Sequence, residues 1–148
     1  MPESIKLTSE ELGLIGLFQN VTGATARDCI IDDQLGRVIF IINKGEMGLA
    51  IGKNGASIKN TQNKVGKSVE LVEYSDDPKK FIVNALNSKY INEVRLSKKM
   101  DGDKIATVFV DAKRKGAVVG RDGKNAEKAR ILAKRYFQIS NIHIITTE

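Results

Sequence analysis

The sequence is poor in the residues that form disulfide frameworks and metal sites. Its 148 residues include one cysteine, Cys29, and one histidine, His143. A single cysteine cannot close an intramolecular disulfide, and it agrees with a reducing, cytoplasmic setting. A single histidine without a second cysteine argues against a zinc site. Because no acid/base cluster stands out either, we predict a protein without catalytic residues, cofactors, metals or a small-molecule substrate.

Aromatic side chains and long apolar runs are also scarce. Aromatic residues make up 5% of the sequence and tryptophan is absent, which disfavours recognition of a ligand by rows of stacked rings. No apolar run approaches the roughly 18 residues that a membrane-spanning helix needs. The first residues lack the basic and apolar regions of a signal peptide. We therefore expect a cytoplasmic protein that has no membrane partner.

One local pattern occurs twice in the chain. Residues 52–55, Gly-Lys-Asn-Gly, are followed 68 residues later by residues 120–123, Gly-Arg-Asp-Gly. Each copy follows a β-branched run and precedes a helical-looking segment. A single pair of glycines at this spacing is weak evidence, because glycines are common in turns. Two copies in matching contexts indicate a duplicated module.

The apolar pattern divides the chain into two similar halves. In each half it predicts the order helix, strand, strand, helix, helix, strand. The helix that follows each glycine pattern is predicted over residues 56–65 and 122–138. We therefore predict an α+β protein with two domains, residues 1–75 and 76–148. These domains are expected to pack as one unit, because each is small for an isolated core.

Positive charge is concentrated around the two glycine patterns. The net charge is +6, but residues 112–135 alone hold nine cations and two anions, and residues 43–67 hold five cations and one anion. The rest of the chain is therefore net negative. Such a distribution is the footprint of a surface that binds a polyanion. A solvated basic helix face is the alternative, and it is the usual one for a single charged run.

The residue types in the repeated pattern suit a phosphate chain. Glycines let a ligand approach the peptide N–H groups, and the N-terminus of the following helix favours an anion. Lys53 and Arg121 add a cation between the glycines. Asn54 and Asp122 tolerate the unusual dihedral angles of a tight turn. Ile58 would line a groove for unstacked bases, a combination that fits single-stranded nucleic acid better than a duplex.

Two other interpretations compete for the same residues. The glycines also fit a tight helix–helix turn that needs glycine for packing alone. A nucleotide-hydrolysing loop fits poorly, because the spacing of a phosphate-binding P-loop is absent and Asn54 replaces the hydroxyl that binds magnesium.

The repeated pattern also carries a family resemblance. Residues 50–58, Ala-Ile-Gly-Lys-Asn-Gly-Ala-Ser-Ile, resemble the I-G-x-x-G-x-x-I signature of K-homology (KH) domains. The second copy has Ala126 where the first has Ile58. The predicted order of elements is similar to the prokaryotic, type II arrangement of these domains. Two type II KH domains joined by a short linker resemble the tandem KH pair of the transcription factor NusA, and the whole chain resembles the archaeal NusA-like proteins.

This resemblance implies a non-catalytic factor that binds single-stranded RNA and acts in transcription termination or antitermination, with RNA polymerase as a further candidate partner. The alternative is an RNA-binding component of the ribosome or of an RNA-processing complex. The residues expected to contact RNA lie in and around the two glycine patterns: Gly52, Lys53, Asn54, Gly55, Ile58 and Lys59 in the first half, and Lys113, Arg114, Lys115, Gly120, Arg121, Asp122, Gly123 and Lys124 in the second.

Overall fold

A computed structural model describes residues 5–147. It divides into two compact units, of which the first spans Lys6–Tyr74 and the second begins at Ser75. Each unit contains the elements in the same order: helix, strand, strand, helix, helix, strand. The predicted α+β class is therefore confirmed.

The first unit consists of a three-stranded sheet and three helices. The helices are α1 (Ser9–Thr22), α2 (Met47–Ile51) and α3 (Ala56–Val65), and the strands are β1 (Ala26–Asp32), β2 (Arg37–Ile42) and β3 (Ser68–Glu73). Strand β1 pairs antiparallel with β2, and β2 pairs parallel with β3. Strand β2 is therefore central, and β3 lies at an edge of the sheet. The bounds of α3 match the prediction from the sequence.

Helix α1 begins at a capping box that the sequence encodes. Thr8 Oγ1 accepts a hydrogen bond from the backbone N–H of Glu11 at 3.1 Å, and Glu11 Oε1 accepts one from the N–H of Thr8 at 2.8 Å. These bonds satisfy N–H groups that have no acceptor within the helix. The helix ends at Gly23, whose φ of 78° lies in the left-handed region that glycine adopts readily.

Replacing Thr8 with alanine should destabilise the protein. Alanine at this position cannot accept the hydrogen bond from Glu11, and such a change costs about 1 kcal/mol. Urea denaturation followed by circular dichroism measures the loss. Thr8→Ser keeps the hydroxyl and is the matched control, which should unfold at the same urea concentration as the parent. Equal stability of Thr8→Ala and the parent would show that the capping box contributes nothing.

The core of the first unit lies between α1 and one face of the sheet. Phe18 of α1 stacks on Phe40 of β2, with ring centroids 4.5 Å apart. Ala50 of α2 is buried in the same core, and Ile58 of α3 packs against it. This core therefore fixes both helices that flank the first glycine pattern.

The second unit repeats the architecture of the first. Its helices are α4 (Pro78–Leu86), α5 (Lys115–Val119) and α6 (Lys124–Phe137), and its strands are β4 (Ile91–Lys98), β5 (Lys104–Asp111) and β6 (Ile139–Thr147). Strand β5 is central, pairing antiparallel with β4 and parallel with β6. Phe81 of α4 meets Tyr136 of α6 edge to face, with centroids 5.2 Å apart. Packing between α4 and α6 thus holds the helix that follows the second glycine pattern.

Helix α6 begins later than the sequence predicts. Its first residue is Lys124 rather than Asp122, because residues Arg121–Gly123 form a separate 3-10 turn. Gly123 has a φ of 72°, and a residue with left-handed dihedral angles cannot belong to a right-handed helix. The sequence therefore placed the helix correctly but merged it with the turn that precedes it.

Candidate nucleic-acid interface

The first loop, residues 52–55, joins α2 to α3 through three residues with positive φ. The φ and ψ angles are 76° and 170° at Gly52, 55° and 27° at Asn54, and 75° and 16° at Gly55. A positive φ favours glycine and, among the other residues, asparagine and aspartate. The N–H of Gly55 donates to the carbonyl of Gly52 at 3.1 Å and closes the turn.

The second loop, residues 120–123, joins α5 to α6 with nearly the same backbone. The φ and ψ angles are 84° and 164° at Gly120, 57° and 23° at Asp122, and 72° and 15° at Gly123. The N–H of Gly123 donates to the carbonyl of Gly120 at 3.0 Å. The repeated sequence thus encodes the same turn twice, and the prediction that Asn54 and Asp122 adopt unusual dihedral angles is confirmed.

The first glycine of each loop is required by packing within the chain. A Cβ on Gly52 would lie 2.8 Å from the backbone nitrogen of Ser57, and one on Gly120 would lie 3.0 Å from that of Asn125. Both distances are shorter than ordinary van der Waals contacts. Gly52 and Gly120 therefore have the packing role that the alternative interpretation assigned to the whole pattern, and the space beside them is filled by the protein.

The second glycine of each loop is not crowded by its neighbours. A Cβ on Gly55 would meet Cγ2 of Ile58 at 3.9 Å, an ordinary contact, and one on Gly123 would meet nothing within 4 Å. These two positions need glycine for their positive φ, and their open side leaves room for another molecule. The approach of a ligand to the loop is therefore possible at Gly55 and Gly123.

Exposed polar and charged side chains surround both loops. Asn54 and Asp122 are exposed. The predicted cations are also exposed, namely Lys53 and Lys59 in the first unit and Lys113, Arg114, Lys115, Arg121 and Lys124 in the second. Within each unit, the structure places the predicted residues on one short segment of loop and flanking helix.

The entrances to the two loops differ in charge. The guanidinium carbon of Arg114 lies 4.5 Å from the centroid of the Tyr90 ring, an arrangement in which the ring attracts the cation. The corresponding residue of the first unit is Glu46, whose Oε1 accepts a hydrogen bond from the N–H of Thr25 at 3.0 Å. The segment that leads into the second loop is therefore the more positive of the two.

One cation of the basic segment does not reach the surface. Lys128 is only 3% exposed. The cations of residues 112–135 are therefore not all exposed. Arg130, two residues later in α6, is half-buried. Its Nε and Nη2 both donate to the backbone carbonyl of Ile142 in β6, at 3.2 and 3.1 Å.

The residues at the last position of the KH-like signature differ in size and burial. Ile58 is half-buried and packs against the core of the first unit. Ala126 is 2% exposed and lies on the inner face of α6. The first unit therefore presents part of a branched apolar side chain beside its loop, whereas the second presents none at this position.

Two apolar residues of α2 border the first loop, and neither is among the residues that the sequence analysis expected to contact RNA. Leu49 and Ile51 are 52% and 40% exposed, while Ala50 between them is buried. Three consecutive residues of a helix point in directions about 100° apart, so they cannot all face one core. That periodicity is the signal that could have identified them. The corresponding residues of α5 are the smaller Ala117 and Val119.

The described residues hold neither a metal-binding cluster nor a membrane-spanning helix. Within residues 5–147, no group of three or more histidine, cysteine, aspartate or glutamate side chains is placed to hold a metal ion. In the same part of the chain, no helix combines the length and the hydrophobicity that are needed to cross a bilayer.

Comparison with known proteins identifies the family. A model of the KH domain matches residues 15–95. The chain is 38% identical over 141 residues to the probable transcription termination protein NusA of Methanocaldococcus jannaschii, which covers 95% of this chain and 75% of that protein. It is also 38% identical over 140 residues to the protein of the same description from Halococcus morrhuae, covering 95% of this chain and 98% of the relative. The chain belongs to the NusA-like KH proteins.

A solved structure agrees with this assignment. The crystal structure of the protein APE1850 superposes on this NusA-like KH protein with a TM-score of 0.85 and 34% sequence identity, covering 94% of this chain and all 100% of the other. The family that the sequence resembles and the tandem KH fold class are both confirmed.

Proposed function

We propose that this NusA-like KH protein binds single-stranded RNA through both loops and acts, without catalysis, in transcription termination or antitermination. Each unit would serve as one KH domain, residues 1–75 and 76–148. The observation that carries the proposal is the same loop backbone built twice, each time with an exposed cation between its glycines. Duplication of a turn together with its charge is expected when the turn serves a ligand.

The loops offer two kinds of contact to a phosphate. The first N–H groups of a helical turn have no acceptor within that turn, and they favour an anion. Lys53 and Arg121 can add charge-assisted hydrogen bonds to the same phosphate oxygens, which are stronger than neutral ones. Asp122 repels a phosphate locally, and Arg121 with Lys124 must outweigh that repulsion.

The surroundings of the loops favour a single strand over a duplex. Leu49 and Ile51 form an exposed apolar border beside the first loop. Apolar surface next to a phosphate contact suits bases that are free of a partner, and sequence-specific RNA recognition targets such unpaired segments. A duplex would present mainly its phosphates and 2′-hydroxyls to this surface, so it should bind more weakly than a single strand of the same length.

Binding should weaken steeply as salt rises, because phosphate contacts release counterions. With four such contacts, the slope of log affinity against log salt is about −3, so raising salt from about 50 to 200 mM lowers affinity about 50-fold. Fluorescence anisotropy with a short labelled RNA measures this slope. An affinity that does not change with salt, or that is higher for duplex RNA, would contradict the proposal.

The transcription role is supported by the relatives, which are described as probable transcription termination proteins. RNA polymerase is therefore the macromolecular partner that we propose. The alternative, a component of the ribosome or of an RNA-processing complex, uses the same RNA-binding loops. Isolation of the tagged full chain from its host, followed by identification of the bound proteins, separates the two. Recovery with RNA polymerase supports the proposal, and recovery with ribosomal proteins supports the alternative.

A further inference from the structure

Matching side chains tie the helix after each loop to the edge strand beside it. In the first unit, Gln62 Oε1 of α3 accepts a hydrogen bond from the backbone N–H of Val69 in β3 at 3.1 Å. In the second unit, Arg130 of α6 donates through Nε and Nη2 to the carbonyl of Ile142 in β6, at 3.2 and 3.1 Å.

The two ties occupy the same place in the repeated fold. Gln62 and Arg130 are separated by the same 68 residues as the two loops. Val69 pairs with Val38 of the central strand β2, and Ile142 pairs with Ala106 of the central strand β5. The two central-strand residues, Val38 and Ala106, are also 68 residues apart. The same helix position therefore bonds to the same edge-strand position in both units. The side chain accepts from a backbone N–H in the first unit and donates to a backbone carbonyl in the second.

In each side chain, the nitrogen group that does not bond to the strand is a hydrogen-bond donor. The N–H of Val69 must be met by an acceptor, so the amide oxygen of Gln62 faces the strand and its NH₂ group is left for another partner. Arg130 has no acceptor atom at all, and its Nη1 group remains after the bonds to Ile142. Both side chains are half-buried, so a base that contacts them would lose water in doing so.

A strand that runs from either loop along the following helix would pass these positions. Gln62 follows Ile58 by four residues and Arg130 follows Ala126 by four, so each pair lies on one helix face about 6 Å apart along the axis. A strand whose phosphate rests on a loop would meet residue 58 or 126 first. It would then meet residue 62 or 130, between the helix and the edge strand.

We infer that Gln62 and Arg130 select bases, favouring those that present a carbonyl oxygen over those that present an amino group. The inference rests on the proposed binding of single-stranded RNA by the two loops. Uracil carries a carbonyl acceptor at the position where cytosine carries an amino donor. A donor that meets a carbonyl forms a hydrogen bond, whereas a donor that meets an amino group leaves two buried donors unpaired.

The test compares the affinities of the full chain for short oligo-U and oligo-C. In Gln62→Glu, one carboxylate oxygen still accepts the N–H of Val69, and the other places an acceptor where the NH₂ donor was. The ratio of oligo-U to oligo-C affinity should fall about fivefold. Asn63→Asp is the matched control, since Asn63 is exposed and the change adds the same charge one residue away. That control should weaken both affinities equally and leave the ratio unchanged.

Arg130 supplies a second, independent pair of variants. In Arg130→Gln, the amide NH₂ takes over the bond to the Ile142 carbonyl and leaves the amide oxygen as an acceptor. The same ratio should fall about threefold to fivefold. Arg130→Lys keeps the charge and a side chain that donates without accepting, and should leave the ratio within a factor of about two of the parent.

The outcomes separate this inference from the function on which it rests. A parent that binds oligo-U no better than oligo-C, or a ratio that stays constant in both Gln62→Glu and Arg130→Gln, overturns base selection while leaving RNA binding intact. A parent that binds neither oligonucleotide overturns the proposed function itself. Circular dichroism of each variant establishes that the ratios are measured on folded protein.

Discussion

Changing Lys53-Asn54 to Asp-Asp is expected to lower the affinity for single-stranded RNA about 100-fold, because a charge-assisted phosphate contact worth about 1.5–3 kcal/mol is lost and carboxylates take its place. The fold should survive, since both residues are exposed. Asp122 adopts a φ of 57° at the position equivalent to Asn54, so aspartate fits this backbone. Changing Arg121 to Asp removes one cation and adds one anion, so this change in the second loop should lower the RNA affinity less. Fluorescence anisotropy with a labelled RNA measures both affinities.

A matched control separates the loop contact from the change in total charge. Asn63 and Lys64 are exposed residues near the C-terminal end of α3, and changing them to Asp-Asp alters the net charge as much as the change at Lys53-Asn54. This control should lose only a few-fold in affinity, because screening weakens charges that lie beyond about 10 Å from the phosphate. Folded loop variants that bind RNA like the parent would show that both loops are structural turns.

The two glycines of the first loop are expected to respond oppositely to alanine. Gly52→Ala should destabilise the protein by about 3 kcal/mol, because its dihedral angles are almost restricted to glycine and its Cβ would press against Ser57. Gly55→Ala should cost only about 1 kcal/mol, the strain of one left-handed residue. The Cβ of Gly55→Ala would meet only Cγ2 of Ile58, at 3.9 Å, so this variant should obstruct RNA instead of disturbing the packing.

Urea denaturation and RNA anisotropy, applied to both variants, distinguish these roles. Gly55→Ala should remain folded and lose about tenfold in RNA affinity, the effect of one charge-assisted contact. Gly120→Ala and Gly123→Ala should repeat the two patterns in the second unit. Equal destabilisation by Gly52→Ala and Gly55→Ala would contradict the division into a packing glycine and a ligand-facing glycine.

The local features of the fold could be predicted because they are encoded by neighbouring residues. The capping box needs only Thr8 and Glu11, and the left-handed turn needs only glycines flanking an asparagine or aspartate. The bounds of α3 follow from the glycines on either side of it, Gly55 and Gly66, which both have positive φ. The duplication supports the loop prediction, because the same residue pattern encodes the same turn in both halves.

The remaining features depend on contacts between distant parts of the chain. Lys128 lies between Ala126 and Ala129 on the buried side of α6, although lysine is a residue type that is mostly exposed. The packing role of Gly52 depends on a close approach to Ser57 that only the folded turn creates. The hydrogen bond that Gln62 accepts from the N–H of Val69 requires the helix to lie along the edge strand. None of these contacts can be predicted from the spacing of residues along the sequence.

The left-handed residue in each loop restricts how evolution can adjust the interface. Positions 54 and 122 have φ values of 55° and 57°, which among residues with side chains favour asparagine and aspartate. Codons for these two amino acids differ at a single base, so one point mutation changes the charge of the loop while the backbone stays the same. Each loop can thus change between a net charge of +1 and a net charge of zero through mutations that leave folding untouched, and the two copies now differ in this way.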